Sequence, residues 1–481
     1  MKNYKDLIFH KSYINGEWRE NTEDKIEVNN PADGSMVAKV DNSDVSVVKE
    51  AIDAAHDAFP NWRKKTAKER SAILMKWFDL IMENKDAIAH IMTLESGKPL
   101  EECKGEINYG ASYIQWYAEQ GKRNNGTIIP GFTEDRRISV IRQPIGVVGS
   151  ITPWNFPIAM ITRKIAPALA VGCPVVVRPS ILTPLTALAL AKLADDAGFL
   201  KGVVNVVVGA DSSAMGKELC ENPKVAKISF TGSTRVGKIL MKQCSEGLKK
   251  LSLELGGNAP FIVFKDADLP EAVQGAIAGK FRFSGQTCVC VNRFLVQEEV
   301  YDEFVKLFVA EVKKLKIGNG LDQGVNFGPL IDEKAVAKMV DFVTDAKELG
   351  GIVEYGGEKI DDYFFPPTVI SNANNKMKFA KDEIFGPIAP IFKFKTEEEA
   401  IQMANDTEFG LASYFYTSDL NRSIRVSESL EYGMVGINAG LISTEVAPFG
   451  GIKQSGQGRE GSVYGLDDFV VLKYICTGNV K

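Results

Sequence analysis

The chain has 481 residues, 45% apolar and 25% charged, with a net charge of −5, which leaves room for two or more domains with sizeable cores. Its lysines and arginines are scattered, so nothing argues for nucleic acid as a partner, and no apolar stretch approaches the roughly 20 residues that span a bilayer. The N-terminus MKNYKDLIFHKSY has no hydrophobic signal core, and a cytoplasmic location is expected.

In chain order, residues 45–120 read as helices, with apolar residues at three- and four-residue spacing in VVKEAIDAAHDAF and ERSAILMKWFDLIMENKDAIAHIM. Residues 121–144 follow as extended or hairpin segments rich in turn residues. From Gly146 short β-branched runs alternate with helices: IGVVGSIT, CPVVVRPS, VVNVVVGA and VAKISFTGS each precede one. That alternation predicts a parallel sheet covered on both faces. It restarts with FIVF after KLSLELGGNAP, so a boundary between two α/β domains falls near Gly256-Gly257. The tail DDFVVLKYICTG reads as β-structure that must pair with the 121–144 hairpin or with another subunit.

Only three histidines occur, His10, His56 and His90, all in the first fifth of the chain. Each reads as a surface or helix residue, which disfavours Ser-His-Asp or Cys-His hydrolases and histidine-bound metal. Seven cysteines, at 103, 173, 220, 244, 288, 290 and 476, form neither a disulfide framework nor a zinc-type CxxC pair. Reduced thiols and no metal are expected.

Four short stretches carry candidate chemistry. In FTGSTRVG a strand ends and a helix begins, with Gly232 and Gly237 five apart and Ser233 at the helix start. Such a helix N-terminus suits phosphate, although glycines used only for packing give the same pattern. Glu254 in LSLELGG has leucines on both sides; apolar surroundings raise a carboxyl's pKa toward a general base's range, while a solvated strand-end glutamate is the plainer reading. Asn155 in TPWNFP is framed by Pro153 and Pro157 and could donate to an oxyanion or simply cap a turn. GQTCVC places Cys288 and Cys290 two apart, as nucleophile, redox pair or buried thiols.

PWNFP, FTGST, ELGGNAP, GQTC, EIFGP and PFGGIKQSG together resemble the aldehyde dehydrogenase superfamily, over roughly residues 12 to 478. The resemblance implies an α/β protein with three parts. A Rossmann-like cofactor-binding domain spans 1–120 and 145–255, and a catalytic domain spans 256–455. A small β oligomerisation arm is made of 121–144 and 456–481. It implies Cys288 as nucleophile, Glu254 as general base, and Asn155 with the Cys288 backbone N–H as oxyanion hole. Gly232 and Ser233 would hold the cofactor pyrophosphate and Glu383 the nicotinamide ribose. Trp154, Leu255, Phe385 and Phe230 would line the cofactor. NAD(P) is the implied cofactor, an aldehyde the substrate, and a homodimer or homotetramer the assembly.

The sequence departs from the family where the adenosine ribose is received. Arg178-Pro179-Ser180-Ile181 stands there, with isoleucine in place of the common glutamate. Without that carboxylate nothing repels a 2′-phosphate, and Arg178 could pair with it; the expected preference is NADP over NAD. Local wording is closest to the succinate-semialdehyde branch, in which Arg163, Arg282 and Ser443, with Thr444 beside it, match the residues that hold a far carboxylate. Phe283 could narrow that pocket. Cys290 could form a reversible disulfide with Cys288, or be a spectator. Glutarate semialdehyde or a broader aldehyde range is the alternative substrate, and a catalytically silent structural member of the fold the alternative class.

Overall fold

The structure, a computed structural model, describes residues 3–19 and 23–480. Its larger sheet has eight strands, in the spatial order Glu17–Arg19, Ser12–Ile14, Val204–Val206, Val175–Arg178, Val147–Ile151, Val225–Thr231, Lys250–Glu254, Gly456–Gln457. The middle five run parallel, and runs such as VVVR at 175–178 are buried throughout, as a sheet covered on both faces requires. In chain order the five lie 3-2-1-4-5, so the winding reverses between Val147–Ile151 and Val225–Thr231. Open parallel sheets form a crevice beyond the carboxyl ends of their strands at such a reversal.

Helices Val45–Trp62, Ala67–Glu83, Lys85–Ser96 and Leu100–Gln120 form on the periodicity read above. The second is started by a reciprocal capping box between Thr66 and Glu69, and the third is stopped by Gly97 at φ 73°. Glu95, fully buried, lays its carboxyl on the N-terminus of helix Pro184–Ala197, accepting from Leu185 N at 2.7 Å and Thr186 N at 3.0 Å. A buried carboxyl there, whose pKa burial raises to about 8, accepts from orphan amides and fixes the turn that follows Arg178.

Only residues 255–258 separate strand Lys250–Glu254 from Ala259–Val263, a strand of the second sheet. That sheet has seven strands, in the order Ile352–Tyr355, Thr368–Ser371, Ile388–Phe394, Val291–Gln297, Ala259–Val263, Ala412–Tyr416, Met434–Ile437. All pair in parallel except the edge strand Ile352–Tyr355.

The tail pairs within its own chain. Val470–Thr477 runs antiparallel to Arg137–Pro144, from Val470 opposite Pro144 to Thr477 opposite Arg137, and Thr127–Ile129 adds a third strand. The tail strand starts later than the sequence suggests, because Tyr464–Phe469 is a 3₁₀ turn that drives Phe469 into the core, 4% exposed. The last residues before it do not belong to this sheet either. Gly456–Gln457 pairs with Leu253 and Glu254 at the edge of the eight-stranded sheet.

Candidate active site

At the reversal point, the loop after Val147–Ile151 presents Trp154 and Asn155, and the turn after Val225–Thr231 presents Gly232 and Ser233. These residues line one cavity of about 300 Å³ together with Leu255, Cys288, Glu383, Phe385 and Lys338. Residues scattered over more than two hundred positions thus meet because the sheet reverses there.

Cys288 reaches the cavity through an irregular approach. Helix Leu269–Phe281 ends, and Phe283, Ser284 and Gly285 all take left-handed conformations, with φ of 46°, 52° and 77°. A Cβ on Gly285 would lie 2.2 Å from the Gly386 carbonyl oxygen, so only glycine passes at that point. The Asn155 side-chain N–H donates 3.0 Å to the carbonyl of Gln286, two residues before the half-buried Cys288. Burial pushes the Cys288 thiol up to about 11, Arg163 and Arg282 pull it back, and Glu254 and Glu383 oppose the thiolate.

Glu254 closes its strand with the carboxyl 2% exposed and Oε2 lacking a hydrogen-bond partner. Its backbone carbonyl accepts from Gly232 N at 3.1 Å, which ties it to the turn at Gly232-Ser233. Burial first, and the neighbouring Glu460 second, hold its pKa well above the usual carboxylate range, against the pull of Arg163, Lys164 and Arg459. Glu460 is buried too. Burial opposes its charge, but Arg163 and Lys164 outweigh that and hold its carboxyl below the usual range. Both cations form ion pairs with it, and Lys164 also donates 2.5 Å to Thr231.

On the opposite wall, Glu383 accepts from Gly257 N at 3.0 Å, and burial raises its carboxyl to about 7. Trp154 and Phe385 meet edge to face with centroids 5.7 Å apart. Phe230, 5% exposed, packs beneath Gly232, where a Cβ would lie 2.5 Å from its ring. Arg178, Pro179, Ser180 and Ile181 lie at the end of the neighbouring strand, outside the lining of this cavity. Arg178 is buried, its Nη2 donating 2.7 Å to Ser212 and 3.3 Å to the Gly209 carbonyl. Ser180 caps its own turn, accepting from Leu182 N at 3.2 Å.

The two arginines are not on solvated helix faces. Arg163 is 1% exposed, its guanidinium 4.3 Å from the Phe449 ring centre. Arg282 is half-buried, 5.4 Å from the ring of Phe156. Nη2 of Arg163 and Nε of Arg282 are buried without hydrogen-bond partners. Ser443 is half-buried on a loop held to helix Leu100–Gln120 by Tyr113, which donates 3.4 Å to the carbonyl of Thr444. Cys290 is buried and donates to the carbonyls of Lys280 at 3.3 Å and Val291 at 3.5 Å. His10 and His56 are exposed, and His90 stacks on Tyr4 at 4.1 Å; none lines the cavity.

Sequence reasoning missed Lys164, Glu460, Lys98, Glu106 and Lys338. For Lys164 a signal existed. Helix Ala159–Val171 is apolar all round apart from Arg163-Lys164, and such a helix is buried, so its two cations had to find a buried carboxylate.

The nucleotide-sized crevice fits a dinucleotide on the chain's own terms. The helix Thr234–Ser245 starts there with Ser233 as its N-cap, Gly232 lines the same space, and the half-buried Glu383 carboxyl faces it.

The sequence matches the aldehyde dehydrogenase family profile over residues 18–475. A succinate-semialdehyde dehydrogenase [NADP(+)] of Escherichia coli (strain K12) is 56% identical over 479 residues, covering 99% of both chains. A glutarate-semialdehyde dehydrogenase of Pseudomonas putida is 56% identical over 471 residues, covering 98% of both. The crystal structure of succinate-semialdehyde dehydrogenase from Burkholderia pseudomallei superposes with a TM-score of 0.98 at 54% identity, covering 99% of both chains. The reversal-point crevice, the buried carboxyl and the thiol beside them are therefore set in a known framework, and the chain belongs to the aldehyde dehydrogenase family.

Proposed function

We propose that this protein oxidises succinate semialdehyde to succinate, with NADP preferred over NAD. It is an NAD(P)-dependent aldehyde dehydrogenase, and its own residues supply binding, orientation and proton handling. Cys288 releases its thiol proton to solvent, a loss that Arg163 and Arg282 favour, and the thiolate attacks the aldehyde carbon to give a thiohemiacetal. The Asn155 amide and the Cys288 backbone N–H hold the oxyanion. A bound nicotinamide would supply the hydride acceptor. A thioester remains on Cys288, and Glu254 takes a proton from water so that the hydroxide equivalent releases the acid. Gly232 and Ser233 hold the pyrophosphate, Glu383 the nicotinamide ribose, and Trp154, Leu255 and Phe385 the walls.

One observation carries the substrate reading: the unpartnered buried donors of Arg163 and Arg282 beside a thiol whose charge both guanidiniums favour. Buried donors without partners are costly, and a substrate carboxylate two carbons from the aldehyde satisfies them, with Ser443 adding a hydroxyl. Arg282→Ala is expected to raise KM for succinate semialdehyde far more than for butanal in a nicotinamide absorbance assay. Equal effects on the two aldehydes would defeat the clamp. The Pseudomonas relative favours glutarate semialdehyde as second reading; one methylene is worth about 10–200-fold in kcat/KM, so the ratio of the two substrates decides.

Ile181 supports the NADP preference, because no carboxylate stands there to repel a 2′-phosphate. In the same reading, 1–120 with 145–255 is the cofactor domain and 256–455 the catalytic domain, while 121–144 with the part of 456–481 that pairs with it, Val470–Thr477, is the arm of a homodimer or homotetramer. Exposed Ile128, Leu472 and Tyr474 on the three-stranded sheet support the arm. All seven cysteines are free thiols, which supports a cytoplasmic location. Among the described residues no helix is long and apolar enough to cross a membrane.

A further inference from the structure

Behind the wall that carries Asn155, one buried ammonium is tied to several groups at once. Lys98 lies in the short turn between helices Lys85–Ser96 and Leu100–Gln120 and is 1% exposed. Its Nζ donates 2.8 Å to the backbone carbonyl of Asn155 and forms an ion pair with buried Glu106. The rings of Phe156 and Phe283 cover it, with centroids 3.9 and 4.4 Å away. Glu106 extends the tie, its Oε1 accepting from Ile158 N at 3.1 Å and Ala159 N at 3.3 Å.

On either side of Asn155 the carbonyls of Trp154 and Phe156 accept from Thr183 Oγ1 at 3.4 Å and Met160 N at 2.9 Å, while the Asn155 carbonyl itself accepts from Lys98. Pro153 and Pro157 flank this segment and bring no N–H, and it lies outside every strand and helix. A loop without a ladder keeps its place only through bonds from elsewhere. A lysine is also a costly filler for this space, since a buried charge is kept out of water at a large desolvation cost. A methionine of similar length would pack there without that cost. What methionine lacks is the donor to the Asn155 carbonyl.

We propose that Lys98 is a positioning residue for aldehyde oxidation: its ammonium fixes the backbone of Asn155 so that the side-chain amide waits where the oxyanion forms. The proposal rests on Asn155 being the oxyanion donor. Preorganisation of such a donor is what makes it effective, and a misplacement of about 1 Å costs on the order of a hundredfold in rate.

The test is steady-state kinetics of the full-length enzyme with succinate semialdehyde and NADP, with NADP binding followed by tryptophan fluorescence. Asn155→Ala is expected to lower kcat about 10²–10³-fold. Lys98→Met is expected to lower kcat about 10–100-fold while KM and NADP affinity move less than about threefold. Lys98→Gln, which keeps an N–H donor, recovers most of that loss. On the Asn155→Ala background, Lys98→Met costs less than about twofold more, because the group it positions is gone. Undiminished kcat in Lys98→Met overturns the proposal, as does a Lys98→Met loss that multiplies in full on the Asn155→Ala background. Undiminished kcat in Asn155→Ala instead overturns the oxyanion reading, and the proposal falls with it.

Discussion

Glu254 ends its strand with one carboxylate oxygen buried and unpartnered, and burial raises its pKa well above the ordinary range. The folded chain therefore holds that proton more tightly than the unfolded chain does. The resulting stability cost is absent below the ordinary carboxylate range, grows as pH climbs through it, and is complete above the folded value. Glu254→Gln removes the titration. Its Tm relative to the parent is expected to rise with pH from about 4.5 upward, read by thermal melts across that range; a difference flat in pH contradicts a buried neutral acid. The same variant should show a burst of reduced nicotinamide and then a steady rate about 10²–10⁴-fold lower. Cys288, Glu254 and Asn155 were nameable from their motifs. Glu460 was not, because the lysine that makes sense of it stands 296 residues away. Nothing local to GREGS announces a buried ion pair.

Two glycines flank the start of helix Thr234–Ser245. Gly232 lines the crevice, whereas a Cβ on Gly237 would lie 2.6 Å from Leu255 Cδ2, so Gly237 sets how closely the helix approaches the strand end. The spacing left binding and packing as alternatives; packing limits both glycines, since a Cβ on Gly232 would lie 2.5 Å from the Phe230 ring, and Gly232 lines the crevice as well. Gly237→Ala is expected to lift the helix off Leu255, costing about 1–3 kcal/mol of stability and weakening NADP binding about tenfold, or about 1.4 kcal/mol, by calorimetry. Gly105→Ala is the control: nothing lies within 4 Å of its added methyl, so stability should rise by about 0.4–1 kcal/mol. The parallel strands were legible because strands buried on both faces read as β-branched runs. The two-residue strand Gly456–Gln457 was not, since so short a strand has no period to read.

At the scale of the molecule, the three-stranded sheet turns apolar side chains outward: Ile128 is 82% exposed, Leu472 70% and Tyr474 60%. A monomer rarely leaves such a surface bare. Ile128→Glu with Leu472→Glu is expected to move the protein to the monomer position in size-exclusion chromatography with light scattering, and an unchanged mass removes the arm from the assembly. The sequence pointed to a tail in need of a pairing partner, and could not choose between its own hairpin and a neighbour because either supplies the same backbone groups. The edge strand Gly456–Gln457 carries a further consequence, in time rather than space. It flanks Glu254, yet about two hundred residues of synthesis separate the two. At about 5–20 residues per second that is on the order of 10–40 s. For that interval the growing chain carries Glu254 at an open sheet edge, and the wall that Gly456–Gln457 adds beside it arrives only after both sheets' parallel strands have been made.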